Sequence, residues 1–167
     1  MAYINKLRRL QGFVAMPDGH RHIPRLHGVL NQIADDYSID LIFAHERLST
    51  HLLLRKNLRQ LVARSDFVLC FTDGQDPDIA FETGLAFGLQ KPFVLVLLPE
   101  TQRLPATFMG HYYVELSGDD ADDRESLRVV LASLVADLAG GDMAGATRVG
   151  GSARLPRMGC AVGGRHS

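Results

Sequence analysis

Apolar stretches of strand length recur along this chain, and stretches with helical spacing stand between them. Gly12-Phe13-Val14-Ala15-Met16 is the first, Ile39 to Ala44 the second, Phe67 to Phe71 the third, introduced by Asp66. Pro92 to Leu98 is a fourth, and it is apolar without interruption, as expected of a strand covered on both faces. His111 to Leu116 is a shorter fifth. Between the first two, Ile23 to Tyr37 places Leu26, Val29, Leu30 and Ile33 on one helical stripe. Ser49 or Thr50 can cap a second helix running to about Ala63, with Leu53, Leu54, Leu58, Leu61 and Val62 on its inner face. Ala80 to Leu89 reads as a third helix. Leu104 to Met109 reads as a connecting loop. Asp119, Asp120, Asp122 and Asp123 precede a last helix, about Arg124 to Leu138, and suit its positive end.

Strand alternating with helix predicts an α/β fold with a parallel sheet and helices on both faces. With five strands, the expected architecture is a flavodoxin-like three-layer fold of strand order 2-1-3-4-5. The winding direction then reverses between strands one and three, and ligands bind at the carboxyl ends of the strands beside such a reversal. The loops that meet there are Met16 to His22 and Thr72 to Glu82, the two most polar and unusual loops of the chain.

The length of 167 residues suits one domain, read as residues 1–138. From Ala139 onward glycines and scattered arginines replace apolar periodicity. The stretch 139–167 cannot bury enough surface to offset its ordering entropy and is expected to be disordered. A net charge of −1 with no long basic run gives no case for nucleic acid or an anionic membrane surface. No apolar run reaches the roughly 18 residues of a membrane span, and no signal-peptide core follows Met1 to Arg9. The two cysteines are Cys70, in a buried strand, and Cys160, in the tail. A disulfide is not expected, which fits a reducing cytoplasm.

The chemistry concentrates in Thr72-Asp73-Gly74-Gln75-Asp76-Pro77-Asp78-Ile79-Ala80-Phe81-Glu82-Thr83-Gly84. Three aspartates and a glutamate crowd one strand-to-helix turn, although a helix dipole needs only one carboxylate. Glu82 near a helix start is favoured as an anion and suits a nucleophile or base; taken alone it reads rather as a first-turn group that complements the dipole, and Asp76 and Asp78 change that balance. Asp78 reads as the helix cap, with Pro77 stiffening the turn before it. Asp76 either points into the crevice or is a solvated loop acid. Asp73 either contacts a ligand or forms an Asp-Gly turn with Gly74.

On the facing loop, Met16, Asp18, Gly19, His20, Arg21 and His22 offer an acid, a flexible link and cations. Arg21 or His22 suits a phosphate, and Gly19 lets the backbone approach a ligand. Asp18 with two histidines raises a metal site, but nothing else with ligand spacing accompanies them and no metal is expected. Neither standard Gly-rich phosphate motif nor a serine nucleophile turn is present. His45, Glu46 and Arg47 fall at the edge of the crevice, with His51 and Arg55 on the helix after them. Met109, His111 and Tyr112 reach it only through a long loop or a second subunit.

Several of these residues together resemble the nucleoside 2-deoxyribosyltransferase-like superfamily. The resemblance rests on Phe13-Val14-Ala15-Met16-Pro17, Asn57-Leu58, Ser65-Asp66, Asp73 through Ala86, and Lys91-Pro92. Its closest part is Asp76-Pro77-Asp78-Ile79-Ala80-Phe81-Glu82-Thr83-Gly84-Leu85-Ala86. It implies cleavage or transfer at the N-glycosidic bond of a nucleoside or nucleotide, without a cofactor. Glu82 would be the nucleophile at the anomeric carbon. Asp76 would orient the sugar or Glu82, and Asp73 would contact or protonate the departing base, as in a retaining glycosidase. The remaining contacts to substrate would come from Asp18, Gly19, His20, Arg21, Met16 and Asp78. The resemblance also implies a homo-oligomer. The Asp-Pro-Asp-Ile run is similar to a TIR-like branch of nucleotide-binding proteins, which cleave nucleotides or only sense them. A nucleotide sensor without turnover is therefore the alternative, and a domain with a relic site is a third reading.

Overall fold

The computed structural model describes residues 9–44, 54–101, 112–140 and 158–160. The elements run β1 (Leu10–Ala15), α1 (Ile23–Asp36), β2 (Ile39–Phe43), α2 (Leu54–Arg64), β3 (Phe67–Thr72), α3 (Pro77–Gly88), β4 (Phe93–Leu97), β5 (Tyr112–Glu115), α4 (Asp120–Gly140) and β6 (Met158–Cys160). One sheet holds all the strands in the order β2-β1-β3-β4-β5-β6. The first five are parallel, in the predicted order 2-1-3-4-5. The sixth runs antiparallel to β5, pairing Met158 with Val114 and Cys160 with Tyr112.

The alternation of side chains across the sheet builds two cores. Val14 on β1 and Phe67, Leu69 and Phe71 on β3 face α1 and α4. There they meet the expected stripe of Leu26, Val29, Leu30 and Ile33, with Leu127, Val130, Leu131 and Leu134 of α4. Phe13 and Ala15 on β1 and Val68 and Cys70 on β3 face the other way, onto Leu58 and Val62 of α2 and Ile79 and Ala86 of α3. Every residue of β3 is buried. Among the described residues no helix is long and apolar enough to cross a membrane.

Three expectations change. α3 begins at Pro77, not Ala80, because Asp76 caps it and Pro77 supplies a first residue whose missing N–H costs nothing there. α4 begins at Asp120, not Arg124: Asp119 Oδ1 accepts the amides of Ala121 and Asp122, so the acids lie inside the first turn. Residues 139 and 140 complete α4, and Met158–Cys160 forms an edge strand, so these parts of 139–167 are ordered. An open edge of β5 offers backbone donors and acceptors that pair without any side-chain pattern, and periodicity could not foretell it. The expectations for His45, Glu46, Arg47, Ser49, Thr50, His51, Leu53, the 104–109 loop, His111 and the remainder of the tail lie outside the described residues.

Gly12 governs how closely the central strands approach. It pairs with Leu41 on one side and Phe67 on the other. A Cβ there would stand 2.5 Å from Cζ of Phe67 and 2.8 Å from Cδ2 of Leu41. Phe67 is fully buried. Gly12→Ala is expected to destabilise the fold by about 1–3 kcal/mol, the usual cost of overpacking. A urea midpoint unchanged from wild type would contradict this packing.

Candidate active site

β1 and β3 are neighbours, yet α1 packs on one face of the sheet and α3 on the other. The chains leaving the two strands therefore diverge, and a crevice opens above their carboxyl ends. It is a depression of about 460 Å³ lined by Pro17, Asp18, Gly19, His20, Asp73, Gln75, Asp76 and Pro77. A second depression, about 470 Å³, lies at the amino ends of the strands, beside Gln11, Arg64, Asp66 and Lys91. Its polar groups serve the scaffold: Asp66 Oδ2 accepts the Gln11 amide at 2.8 Å, and Lys91 Nζ donates to the Ser65 carbonyl at 2.8 Å. The first is the one lined by residues of the two polar loops singled out in the sequence.

Local hydrogen bonds shape the acid loop. Gly74 adopts φ 85°, which lets its amide donate back to Thr72 Oγ1 at 2.9 Å. Asp73 Oδ1 accepts the Gln75 amide at 2.9 Å. Asp76 Oδ1 accepts the amides of Asp78 at 2.8 Å and Ile79 at 3.4 Å. The cap is thus Asp76, not Asp78. A capping side chain reaches amides two and three residues ahead, and once the helix starts at Pro77 only Asp76 stands at that distance. Asp78 is exposed on the first turn and does not line the crevice.

Glu82 follows this loop on α3 and is not among the residues that line the crevice. It is the sixth residue of α3 counting from Pro77, past the turn where the helix end favours an anion. Its surroundings act the other way. The side chain is only 8 % exposed, and its Oε2 has no hydrogen-bond partner among the described residues. Burial first, then the charges of Asp78, Asp76 and Asp18, push its pKa up to about 8. At neutral pH the carboxyl is mostly protonated, contrary to the anion expected from sequence. Cys70 lies on β3 in the core that α3 covers, and burial pushes its thiol up to about 12, so it is a free but inert cysteine.

The facing loop divides. Asp18, Gly19 and His20 line the crevice, with Gly19 at φ 72°. Arg21 does not: its guanidinium pairs with Glu100 and its Nε donates to His22 Nε2 at 3.2 Å. The long arginine stem finds an acid beyond the crevice, and its place in the sequence could not say which way it would turn. Met16 is buried in the α1/α4 core and touches no part of the crevice. His22 has its pKa lowered by burial first, then by Arg21, Arg25 and His20. A lowered pKa makes it a poor phosphate anchor. Arg25 is engaged by Asp123 Oδ2 at 2.6 Å and Asp120 Oδ1 at 2.8 Å. Among the described residues no group of three or more His, Cys, Asp or Glu side chains could hold a metal ion. Sequence reasoning gave Gln75 no role. It lines the crevice between two acids, and its position in the loop was the only available signal.

No family model and no curated protein matches the chain. Solved structures do. A 2-deoxyribosyltransferase from Bacillus psychrosaccharolyticus superposes with a TM-score of 0.52 at 15% identity, covering 68% of this chain and 90% of that one. A conserved protein from Enterococcus faecalis V583 superposes with a TM-score of 0.50 at 16% identity, covering 73% and 99%. At such identities the likeness is one of fold, the fold that the resemblance implied.

Glu82 links stability to pH. Its carboxyl stays protonated in the folded chain up to about pH 8, whereas its ordinary value is 4.5. Between these values unfolding releases a proton. This group's contribution to stability is complete at low pH, falls as pH rises from about 4.5, and levels off above about 8. The slope is at most about 1.4 kcal/mol per pH unit. Glu82→Gln removes the titration, so its stability relative to wild type should increase from pH 5 to pH 8 in urea unfolding. Parallel profiles for the two proteins would rule out a buried, protonated Glu82.

Proposed function

We propose that this chain cleaves or transfers at the N-glycosidic bond of a nucleoside or nucleotide, with Glu82 as nucleophile. The observation that carries the reading is Glu82 itself, a buried carboxyl whose Oε2 has no partner among the described residues and which feels the charges of Asp78, Asp76 and Asp18, at the position where the resemblance puts the attacking group. In its ionised form Glu82 attacks the anomeric carbon. The bond to the base nitrogen breaks and its electron pair leaves with the base, which Asp73 contacts and which takes a proton from water. Water, or the nitrogen of a second base, then displaces Glu82 and completes hydrolysis or transfer. Asp76 holds the first turn of α3 and thereby Glu82, while it also lines the crevice. Asp18, Gly19 and His20 hold the sugar or base from the other side. The exposed Phe81 and Phe87 on α3 support the homo-oligomer that the resemblance implies, and a buried free thiol suits a reducing cytoplasm.

A nucleotide sensor without turnover is the second reading. The raised pKa of Glu82 favours it, since a protonated carboxyl binds ligands but does not attack. One experiment separates the two. The protein is incubated with nucleosides, deoxynucleosides, their monophosphates and NAD, and free base is measured by chromatography. The enzyme reading expects base from wild type and a loss of at least 100-fold in Glu82→Gln, which should remain folded. For a neutral substrate kcat/KM should rise with pH toward a plateau above about 8, where Glu82 is ionised. Ligands that raise the melting temperature without any release of base would support the sensor and exclude cleavage of those substrates.

A further inference from the structure

Surface helices turn polar side chains to solvent. α2 does so with Arg59, Gln60 and Arg64, and α4 with Arg124, Glu125 and Arg128. α3 does not. Past Asp78 its one charged residue is Glu82, which is buried, and its exposed positions are Phe81, Gly84, Phe87 and Gly88. Phe81 is 53 % exposed and Phe87 63 %. Ile79 and Ala86 meanwhile pack into the core on the other side of the helix. A helix that is apolar on both sides belongs in an interior, yet one side of α3 meets solvent. That side is also symmetric. Phe81 and Phe87 stand three residues before and three after Gly84. At about 100° per residue they flank it by roughly 60° on either side. A Cβ built on Gly84 or Gly88 meets no atom within 4 Å, so two aromatic ridges border a groove floored by backbone.

We infer that this face is a contact with a second copy of the chain, in which two α3 helices lie antiparallel across a two-fold axis at Gly84. An isologous contact demands a patch that complements itself. Symmetry about one residue supplies such a patch, and a partner of different sequence would have no need of it. The axis sets Phe81 of each copy at the level of Phe87 of the other. Four rings then close around the two Gly84 residues, whose missing side chains let the backbones approach. Charge chooses the direction. Antiparallel helices hold the two exposed Asp78 carboxylates roughly 18 Å apart along the helix axis, at 1.5 Å per residue. Parallel helices would set them side by side, with like helix ends together. The contact does not depend on what the crevice binds, so it stands or falls apart from the N-glycosidic reading.

The test is the oligomeric state of the full chain. Sedimentation velocity at about 5 to 200 µM, a span that covers weak and standard interfaces, is expected to show a dimer by the upper end. Gly84→Gln should fold, since the added side chain meets open space and glutamine is the better helix former, but it fills the groove. Association is expected to weaken at least tenfold, with a melting temperature at the lowest concentration no lower than that of wild type. Phe81→Glu should weaken association likewise. Gly84→Cys, under mild oxidation, should link to its own counterpart, because a residue on the axis faces itself. The controls are wild type, with Cys70 and Cys160, and Arg59→Cys at an exposed site on α2, and both should link at least tenfold more slowly. The cross-link stands as a test even if Phe81→Glu fails to fold. A monomer at every concentration would overturn the contact and leave the face to another segment of this chain or to an unlike protein. A dimer indifferent to Gly84→Gln and Phe81→Glu would overturn it too. Association lost in both variants, with no preferential link at Gly84→Cys, would overturn the two-fold axis at Gly84.

Discussion

β3 is buried along its whole length, and the rest of the architecture follows from that burial. A strand with Phe67, Leu69 and Phe71 on one side and Val68 and Cys70 on the other must be covered on both faces. Helices are thereby forced to opposite sides of the sheet, α1 and α4 on one and α2 and α3 on the other. Because β1 and β3 lie side by side while α1 and α3 do not, the chain must part above them. The crevice is a consequence of covering one central strand twice. Gly12 keeps that strand close, since its missing side chain is the space that Phe67 and Leu41 occupy.

The site follows from the same geometry at smaller scale. Asp76 ends the loop, caps α3 and sets where the helix begins. The start of α3 sets the position of Glu82, one and a half turns further in, where burial outweighs the help of the helix end. A carboxyl is then stored protonated within the field of three others. That arrangement costs stability as pH rises, and a chain that only needed a helix start would not require it. The acids also account for the direction taken by nearby cations. Arg21 and Arg25 find partners in Glu100, Asp120 and Asp123 and do not line the crevice.

Much of this was legible in the residues alone. Strand order, both cores, the stripe from Leu26 to Ile33 and the meeting of the two polar loops all follow from apolar periodicity, which burial imposes on sequence. Asp18, Gly19, His20, Asp73 and Asp76 were also foreseen at the crevice. Illegible were the choice of Asp76 over Asp78 as cap, the burial of Met16 and the turning away of Arg21. Each depends on a few ångströms of loop path or on a distant partner, and no periodicity encodes either. β6 was missed for a related reason: pairing along an open edge is made by backbone, which every sequence possesses.

The sequence by itself determined the layered α/β architecture and the two polar loops that meet at the crevice. Its apolar pattern admits few arrangements, and strand order fixes which loops adjoin. Only the tertiary structure decided the charge state of Glu82 and which residues of the two loops line the crevice. Both depend on what surrounds a group in space: the water removed from Glu82, the Asp18 carboxylate brought from 64 residues away, and the Glu100 that draws Arg21 aside.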